Sequence, residues 1–205
     1  MNEPLAEEIP VILASASRIR SRILANAGIE HTCITSTVDE DDIKQSFKKD
    51  GANVESVAIA LAEAKAWDVA EHNPDALVIG ADQILECDGR WFDKPPDQKA
   101  AAETLLALRG RAHWLISAVA VFRGEECIWR YCETPVLEMR NFSDKFLEHY
   151  LNSAGPDILQ SVGAYRLEGS GVQLFSRIDG DYFTILGLAL MPLLEFLRST
   201  DVLAE

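Results

Sequence analysis

Three arginines lie at the start of a predicted helix, directly after a turn that is rich in serine. The stretch ASASRIRSR supplies Ser15 and Ser17, followed by Arg18, Arg20 and Arg22. A helix N-terminus already carries partial positive charge, so cations there are unfavourable unless an anion lies between them. Hydroxyls, backbone N–H groups and guanidinium groups together form a phosphate-binding cradle. A capped helix with a solvated basic face explains the same residues equally well.

Carboxylates occupy two positions where chemistry is plausible. Asp82 ends an apolar run after Gly80, where active-site acids often lie in α/β sheets. Glu40 belongs to a run of four acids at residues 39–42, and Mg²⁺ prefers carboxylate oxygens together with phosphate. The alternatives are a turn or capping role for Asp82 and a solvated loop for the four acids.

Isolated cations and one histidine complete the candidate residues. Lys65 is the only cation in an otherwise apolar or acidic helix, and Lys94 follows the sequence WFD. Each lysine alone suits a surface position as well as it suits a ligand. We expect His113 to be a half-buried strand residue. The sequence contains neither GxGxxG nor GxxxxGK[ST], which removes the main support for Rossmann and P-loop folds.

The composition restricts the class of protein. The formal net charge is −14, from 33 acids and 19 bases, which argues against a broad nucleic-acid-binding surface. A small anion therefore needs a pocket with its own cations or a metal. The four cysteines form no CxxC pair, so we expect reduced thiols and no zinc site. No apolar run has the length of a membrane span, and we expect no export signal.

Strand and helix patterns alternate along the chain, which predicts an α/β domain with a mixed sheet. The predicted strands cover residues 9–14, 30–38, 76–89, 113–124 and 127–140, the third being interrupted at Gly80 and Asp82. The predicted helices cover residues 18–27, 53–71, 98–108, 143–153 and 188–198. We expect one domain over residues 1–205, with residues 1–8 flexible.

Six sequence blocks, in this order, resemble the Maf family of nucleoside triphosphate pyrophosphatases, also called septum formation inhibitor Maf proteins. The blocks are LASASRIRSRILANAGI, VDED, LAEAKA, VIGADQIL, DKPPDQKAAAETLLALRGRAH and VGAYRLEGSG…RIDGDYFTILGL. The resemblance extends from Val11 to Arg198. It implies a Maf/ITPase-like mixed sheet flanked by helices, with two lobes and a nucleotide cleft between them.

The resemblance also implies an activity. The expected reaction is hydrolysis of a nucleoside triphosphate between the α and β phosphates, giving the monophosphate and pyrophosphate. It implies a divalent cation (Mg²⁺ or Mn²⁺) and a cytoplasmic homodimer, while the net charge and the short apolar runs predict no nucleic-acid or membrane partner. Carried onto this chain, the roles are Asp82 as general base, Ser15, Arg20, Lys65 and Lys94 as phosphate ligands, and Glu40 with Asp82 as metal ligands.

Three positions bear on the base of the nucleotide. The family's usual turn is Ser-Pro-Arg-Arg, whereas this chain has Ser17-Arg18-Ile19-Arg20. In this family, the residues at three positions vary with the preferred base. The pyrimidine-preferring branch has Arg, Thr and Gln at these positions. This chain has Ile19, Gln83 and Glu168, which resembles the branch acting on 7-methyl-GTP. A carboxylate suits guanine, because the N1–H and N2–H₂ groups of guanine are hydrogen-bond donors.

Two alternative functions stay open at this point. An inosine or xanthosine triphosphate pyrophosphatase shares the same phosphate chemistry but needs a different base pocket. A nucleotide-binding regulator of cell division with little catalysis is consistent with the septum-related name. A panel of nucleotides assayed for pyrophosphate release distinguishes all three functions.

Overall fold

A computed structural model describes residues 9–49 and 51–204, and it confirms an α/β fold with helices flanking one mixed sheet. The strands are β1 (Val11–Leu13), β2 (Thr32–Cys33), β3 (Leu77–Cys87), β4 (Arg90–Phe92), β5 (Ala112–Arg123), β6 (Glu126–Glu133), β7 (Val136–Met139) and β8 (Phe175–Asp179). The helices are α1 (Arg18–Asn26), α2 (Glu40–Lys49), α3 (Val54–Ala70), α4 (Gln98–Leu108), α5 (Asp144–Ala154), α6 (Tyr182–Ile185) and α7 (Leu190–Ser199).

The sheet combines parallel and antiparallel pairing. Its strand order is β2-β1-β3-β5-β7-β8, with β4 paired to β3 and β6 paired to β5. Strand β1 runs parallel to both of its neighbours, with Leu13 opposite Cys33 on one side and Ile79 on the other. Strands β5, β7 and β8 pair antiparallel. Because Leu13 is the last residue of β1 and pairs with Ile79, the residues that follow β1 lie beside the middle of β3, near Asp82.

The chain divides into two compact units. The first contains residues up to Asp82, residues Ala118–Cys132 and residues from Leu188 onward. The second contains residues Gln83–Ser117 and Glu133–Gly187. The expected single domain over residues 1–205 stays a prediction, and residues 1–8 lie outside the described part of the chain.

The first unit has a core in which α3 packs closely on β3. The side chain of Asn53 caps α3 by accepting a hydrogen bond from the Ser56 N–H at 2.8 Å. A Cβ atom at Gly80 would overlap the Ala62 carbonyl oxygen and would lie 2.7 Å from the Ala66 nitrogen. Only glycine permits this close approach of the helix to the strand. The approach brings the buried face of α3 against the part of β3 that contains Gly80 and Asp82.

The second unit has its own apolar core, formed by strands β5 and β7 and helices α4 and α5. His113 is buried completely here, so the expectation of a half-buried residue is wrong. Its Nε2 atom lies 2.9 Å from the hydroxyl of Tyr165. Burial lowers the pKa of His113 from 6.5 to about 4, because the charged imidazolium loses its hydration. This histidine is therefore a neutral core residue.

The five predicted helices are confirmed within two residues at each end, but the segment between α1 and α3 differs from the prediction. The strand expected over residues 30–38 contains only Thr32–Cys33. The four acids at residues 39–42, for which a solvated loop is the alternative, lie at the start of helix α2 instead, with Asp39 just before its first residue. Three of them lie in its first turn, where negative charge interacts favourably with the helix dipole.

The long strands differ from the prediction in two places. Strand β3 continues through Gly80 and Asp82 without the expected interruption and turns at Asp88–Gly89, as predicted, with φ of 51° and 78°. The strand expected over residues 127–140 is divided into β6 and β7 around Pro135, which has no N–H group to donate to a sheet. None of the helices in residues 9–49 and 51–204 has the length and apolar character needed to cross a bilayer.

Candidate active site

Ser15 lies where β1 ends and is almost fully buried. Strand β1 still contacts β3 at this point, because the Ala14 N–H donates to the Ile79 carbonyl at 2.8 Å. The Ser15 hydroxyl oxygen accepts hydrogen bonds from the Ser17 N–H at 3.2 Å and from Arg20 Nη1 at 3.3 Å. One hydroxyl thus fixes both the turn after β1 and the side chain of Arg20.

Helix α1 presents one of its three arginines to the interior. Ser17 caps the helix by accepting from the Arg20 N–H at 3.4 Å, as predicted. Arg18 and Arg22 are exposed, whereas the Arg20 side chain turns back and donates from Nη1 to the Ala81 carbonyl at 2.8 Å. Burial lowers the pKa of Arg20, and the negative charges of Asp82 and Glu40 oppose that change. Arginine stays protonated under all relevant conditions, so a fixed cation lies beside two carboxylates.

The ammonium group of Lys65 is the centre of the cluster. Its Nζ atom lies 2.6 Å from Asp82 Oδ1 and 2.7 Å from Glu40 Oε1. The side chains of Lys65 and Asp82 are only 10% and 7% exposed, whereas that of Glu40 is 43% exposed. A buried lysine requires such partners, because an unpaired charge is strongly unfavourable away from water. The close packing at Gly80 allows Lys65 of α3 to reach Asp82 of β3.

Five predicted site residues therefore meet at one place in the first unit: Ser15, Arg20, Glu40, Lys65 and Asp82. Two cations and two carboxylates lie together there, next to a serine hydroxyl. Ile19 belongs to the same unit, half-buried in the first turn of α1. This group of five residues is called the carboxylate–lysine cluster below.

Three further predicted residues belong to the second unit. Lys94 is exposed, between β4 and α4. Gln83 follows Asp82 in β3, and its amide nitrogen lies 2.7 Å from the hydroxyl oxygen of Ser117. Glu168 Oε1 accepts from Arg166 Nε at 2.9 Å, and its side chain is 20% exposed.

Arg166 is a site feature that the sequence reasoning missed. It also donates from Nη1 to Asp157 at 2.7 Å, so one guanidinium group links two carboxylates. The hydrogen bond that Arg166 donates to Glu168 is the largest cause of the raised pKa of Arg166. The i, i+2 spacing of Arg166 and Glu168 was visible in the sequence, but the contact depends on the turn between them.

The carboxylate groups do not form a ready-made metal cage. In the part of the chain that the structure describes, no group of three or more His, Cys, Asp and Glu side chains is arranged to hold a metal ion. The four cysteines are free thiols, in agreement with the sequence prediction. Glu40 and Asp82 are the two carboxylates that face one another across Lys65.

Comparison with known proteins assigns the family. The family profile described as "Maf-like protein" matches residues 10–200. The chain belongs to the Maf family. A nucleoside triphosphate pyrophosphatase of Granulibacter bethesdensis is 51% identical over 193 residues, which cover 94% of this chain and 98% of that protein. The Maf resemblance inferred from the six sequence blocks is confirmed.

Other relatives carry a more specific name. A 7-methyl-GTP pyrophosphatase of Rhizobium meliloti is 48% identical over 188 residues, covering 92% of this chain and 94% of that protein. A nucleoside triphosphate pyrophosphatase of Paramagnetospirillum magneticum is 50% identical over 192 residues, covering 94% and 99%. This Maf chain is thus similar to proteins with both names.

Proposed function

We propose that this Maf-family chain is a hydrolase that converts a nucleoside triphosphate and water into the monophosphate and pyrophosphate, removing non-canonical nucleotides. The carboxylate–lysine cluster is the observation that carries the proposal. A buried acid, two buried or half-buried cations and a serine hydroxyl meet there. Phosphoryl transfer depends mainly on positioning and on neutralising the negative charge of the phosphates.

Asp82 is the proposed general base. The hydrogen bond from Lys65 Nζ to Oδ1 holds the carboxylate in one orientation and leaves Oδ2 to accept a proton. A water molecule beside Oδ2 attacks the α phosphorus, its proton passes to Asp82, and the bond to the pyrophosphate oxygen breaks. No covalent enzyme intermediate is required.

Arg20, Lys65 and Ser15 are the proposed phosphate ligands of the cluster. Arg20 has a planar guanidinium group with several N–H donors, and its Nη1 atom binds the Ser15 hydroxyl of the same cluster. Lys65 and the Ser15 hydroxyl add a charge and a donor beside it. We extend the phosphate-binding role to Lys94 on the strength of the family resemblance, supported by its exposed position after β4.

Glu40 and Asp82 fit a divalent cation that arrives with the nucleotide. Mg²⁺ is commonly held by one or two carboxylates together with substrate phosphates and water, so a third protein ligand is not needed. Bound there, Mg²⁺ or Mn²⁺ would neutralise phosphate charge and lower the pKa of bound water. The side chain of Glu40 is 43% exposed, so a hydrated cation can approach it from solvent.

Ile19, Gln83 and Glu168 are the proposed base-selective residues. Among the candidate substrates, we rank a nucleotide with a modified guanine, such as 7-methyl-GTP, first. Glu168 can accept hydrogen bonds from the N1–H and N2–H₂ groups, and N7 methylation makes the base cationic, which favours a carboxylate further. The Arg166 contact supports this role, because it fixes Oε1 and leaves Oε2 to a ligand.

We also propose a homodimer in the cytoplasm that binds neither nucleic acid nor membranes. The net charge of −14 supports the absence of a nucleic-acid partner, because a strongly acidic protein repels the phosphate backbone of nucleic acids. Light scattering coupled to size-exclusion chromatography tests for the dimer. A single species at the monomer mass would contradict it.

A nucleotide panel tests the activity. Canonical triphosphates, ITP, XTP and 7-methyl-GTP are incubated with the protein and Mg²⁺ or Mn²⁺, and the products are identified by ³¹P NMR. We expect monophosphate and pyrophosphate, with the highest kcat/KM for 7-methyl-GTP. Preference for ITP or XTP would indicate the inosine-type enzyme. Nucleotide binding without any turnover would indicate a regulator of cell division.

A further inference from the structure

The amide nitrogen of Gln83 is surrounded by hydrogen-bond acceptors of the second unit. It lies 2.7 Å from Ser117 Oγ, 3.1 Å from the Thr184 carbonyl and 3.3 Å from the Ile185 carbonyl. Backbone carbonyls only accept hydrogen bonds, so the NH₂ end of the amide must face them. The usual ambiguity between the nitrogen and oxygen of a glutamine is therefore resolved by its partners.

Ser117 completes this arrangement. Its hydroxyl donates to the Thr184 carbonyl at 3.1 Å, so its oxygen presents a lone pair to the Gln83 amide. Ser117 is 1% exposed and Thr184 is 0% exposed. A hydroxyl that can rotate is thus committed to one direction by a buried carbonyl.

The segment that carries the two carbonyls is itself fixed. The Thr184 side chain donates to Glu133 Oε2 at 2.9 Å, and the Thr184 N–H donates to Asp181 Oδ1 at 2.9 Å. Rotation of the Gln83 amide by 180° would place its oxygen against two carbonyl oxygens and a hydroxyl lone pair. The amide therefore has one stable orientation, with Oε1 turned away from these three acceptors.

We propose that Ser117 is a positioning residue for base selection. It holds Gln83 so that the base meets only the acceptor oxygen Oε1 of this amide. The chain then favours bases with an N–H donor at that position, such as the N1–H or N2–H₂ of guanine, and disfavours bases with an acceptor or no donor there. This inference rests on the proposed function and on the base-selective role of Gln83.

Ser117→Ala and Ser117→Thr test the inference with two substrates. GTP presents N–H donors on its base edge, whereas purine riboside triphosphate presents none. The wild type is expected to prefer GTP, and Ser117→Ala is expected to reduce that preference about fivefold, the size of one neutral hydrogen bond. The change should arise from a raised KM for GTP, and Ser117→Thr should restore the wild-type ratio.

Ser176→Ala is the matched control. Ser176 also donates its hydroxyl proton to a backbone carbonyl of the second unit, that of Glu138 at 3.1 Å, and its hydroxyl does not bind Gln83. We expect its substrate ratio to equal that of the wild type. An equal fall in kcat for both substrates in Ser117→Ala, with an unchanged ratio, would reduce Ser117 to a structural residue and overturn the inference.

The orientation itself has a readout that does not depend on turnover. In ¹⁵N-labelled protein, the side-chain NH₂ signals of Gln83, assigned by their loss in Gln83→Glu, should exchange slowly with solvent and exchange faster in Ser117→Ala. Rapid exchange in the wild type would contradict the inference. If the wild type releases no pyrophosphate, the proposed function fails, while nucleotide dissociation constants measured by calorimetry still decide the role of Ser117.

Discussion

Lys65 pairs with two carboxylates, and this pairing bears on the proposed binding of a triphosphate. Its Nζ lies within 2.7 Å of both Asp82 and Glu40, and an ammonium group has three N–H donors, so a phosphate oxygen is the proposed third partner. Each buried charge is compensated within the protein, as buried ions require.

Asp82→Asn is the sharpest change at the reaction centre. An amide cannot accept the proton of the attacking water as a carboxylate does, so kcat should fall about 10²-fold to 10⁴-fold. Nucleotide binding, measured by calorimetry with Ca²⁺ in place of Mg²⁺, should be largely retained. The control is Asp75→Asn, an exposed acid before β3, which should behave as the wild type. Full activity of Asp82→Asn would exclude Asp82 as the base.

Arg20→Lys separates geometry from charge. Lysine keeps the positive charge but loses the planar guanidinium group that contacts Ser15 and the Ala81 carbonyl. We expect KM to rise about 10-fold to 100-fold, the equivalent of one charge-assisted hydrogen bond. Arg22→Lys changes an exposed arginine of the same helix and should leave KM unaltered. Equal effects of the two substitutions would refute a specific role for Arg20.

At the scale of elements, the contact between α3 and β3 positions the cluster. Lys65 is supplied by the helix and Asp82 by the strand, and Gly80 lies where the two approach one another. Because Asp82 is two residues after Gly80, the Asp82 side chain lies on the face of β3 that Gly80 presents to α3. Gly80 therefore affects both the packing of α3 on β3 and the contact between Lys65 and Asp82.

Gly80→Ala should disturb both properties. The added methyl group would overlap the Ala62 carbonyl, so we expect a loss of about 1–3 kcal/mol in the free energy of unfolding. Activity should fall as well, because α3 must move away from Asp82. Gly169→Ala is the control for stability, since its Cβ would lie 3.8 Å from the nearest atom, the Arg166 carbonyl oxygen. Urea unfolding of both variants measures the difference, and an undisturbed Gly80→Ala would argue against the close approach.

Elements with a strong pattern were predictable, and those that depend on partners were not. Apolar spacing, capping residues and terminal glycines predict the five helices. Helix α2 is polar and has no buried residue, so its sequence fits a solvated loop as well as a helix. Ser15, Arg20, Glu40, Lys65 and Asp82 were identified by family resemblance. Local sequence did not show that Arg20 bonds the Ala81 carbonyl, 61 positions away. Contacts of that range arise only from the sheet topology.

At the scale of the whole molecule, buried His113 links stability to pH. Its pKa is lowered from 6.5 to about 4 in the folded chain, so the unfolded chain binds more protons between these values. The contribution of neutral His113 to the free energy of unfolding is complete above pH 6.5. It is lost as the pH falls towards 4, at about 1.4 kcal/mol per pH unit.

His113→Gln should flatten this part of the stability profile. Glutamine does not titrate and retains a polar group near the Tyr165 hydroxyl. The free energy of unfolding is measured with denaturant at pH values from 4.5 to 7.5. Its slope against pH should be smaller for this variant than for the wild type. The exposed His149→Gln should keep the wild-type slope. Identical slopes for His113→Gln and the wild type would show that another group controls acid stability.

The central claim concerns which phosphorus atom is attacked, and isotope labelling tests it most directly. The protein is incubated with 7-methyl-GTP and Mg²⁺ in H₂¹⁸O, and both products are analysed by mass spectrometry. We predict one ¹⁸O atom in the nucleoside monophosphate and none in the pyrophosphate. A diphosphate with orthophosphate, or label in the pyrophosphate, would contradict attack at the α phosphorus.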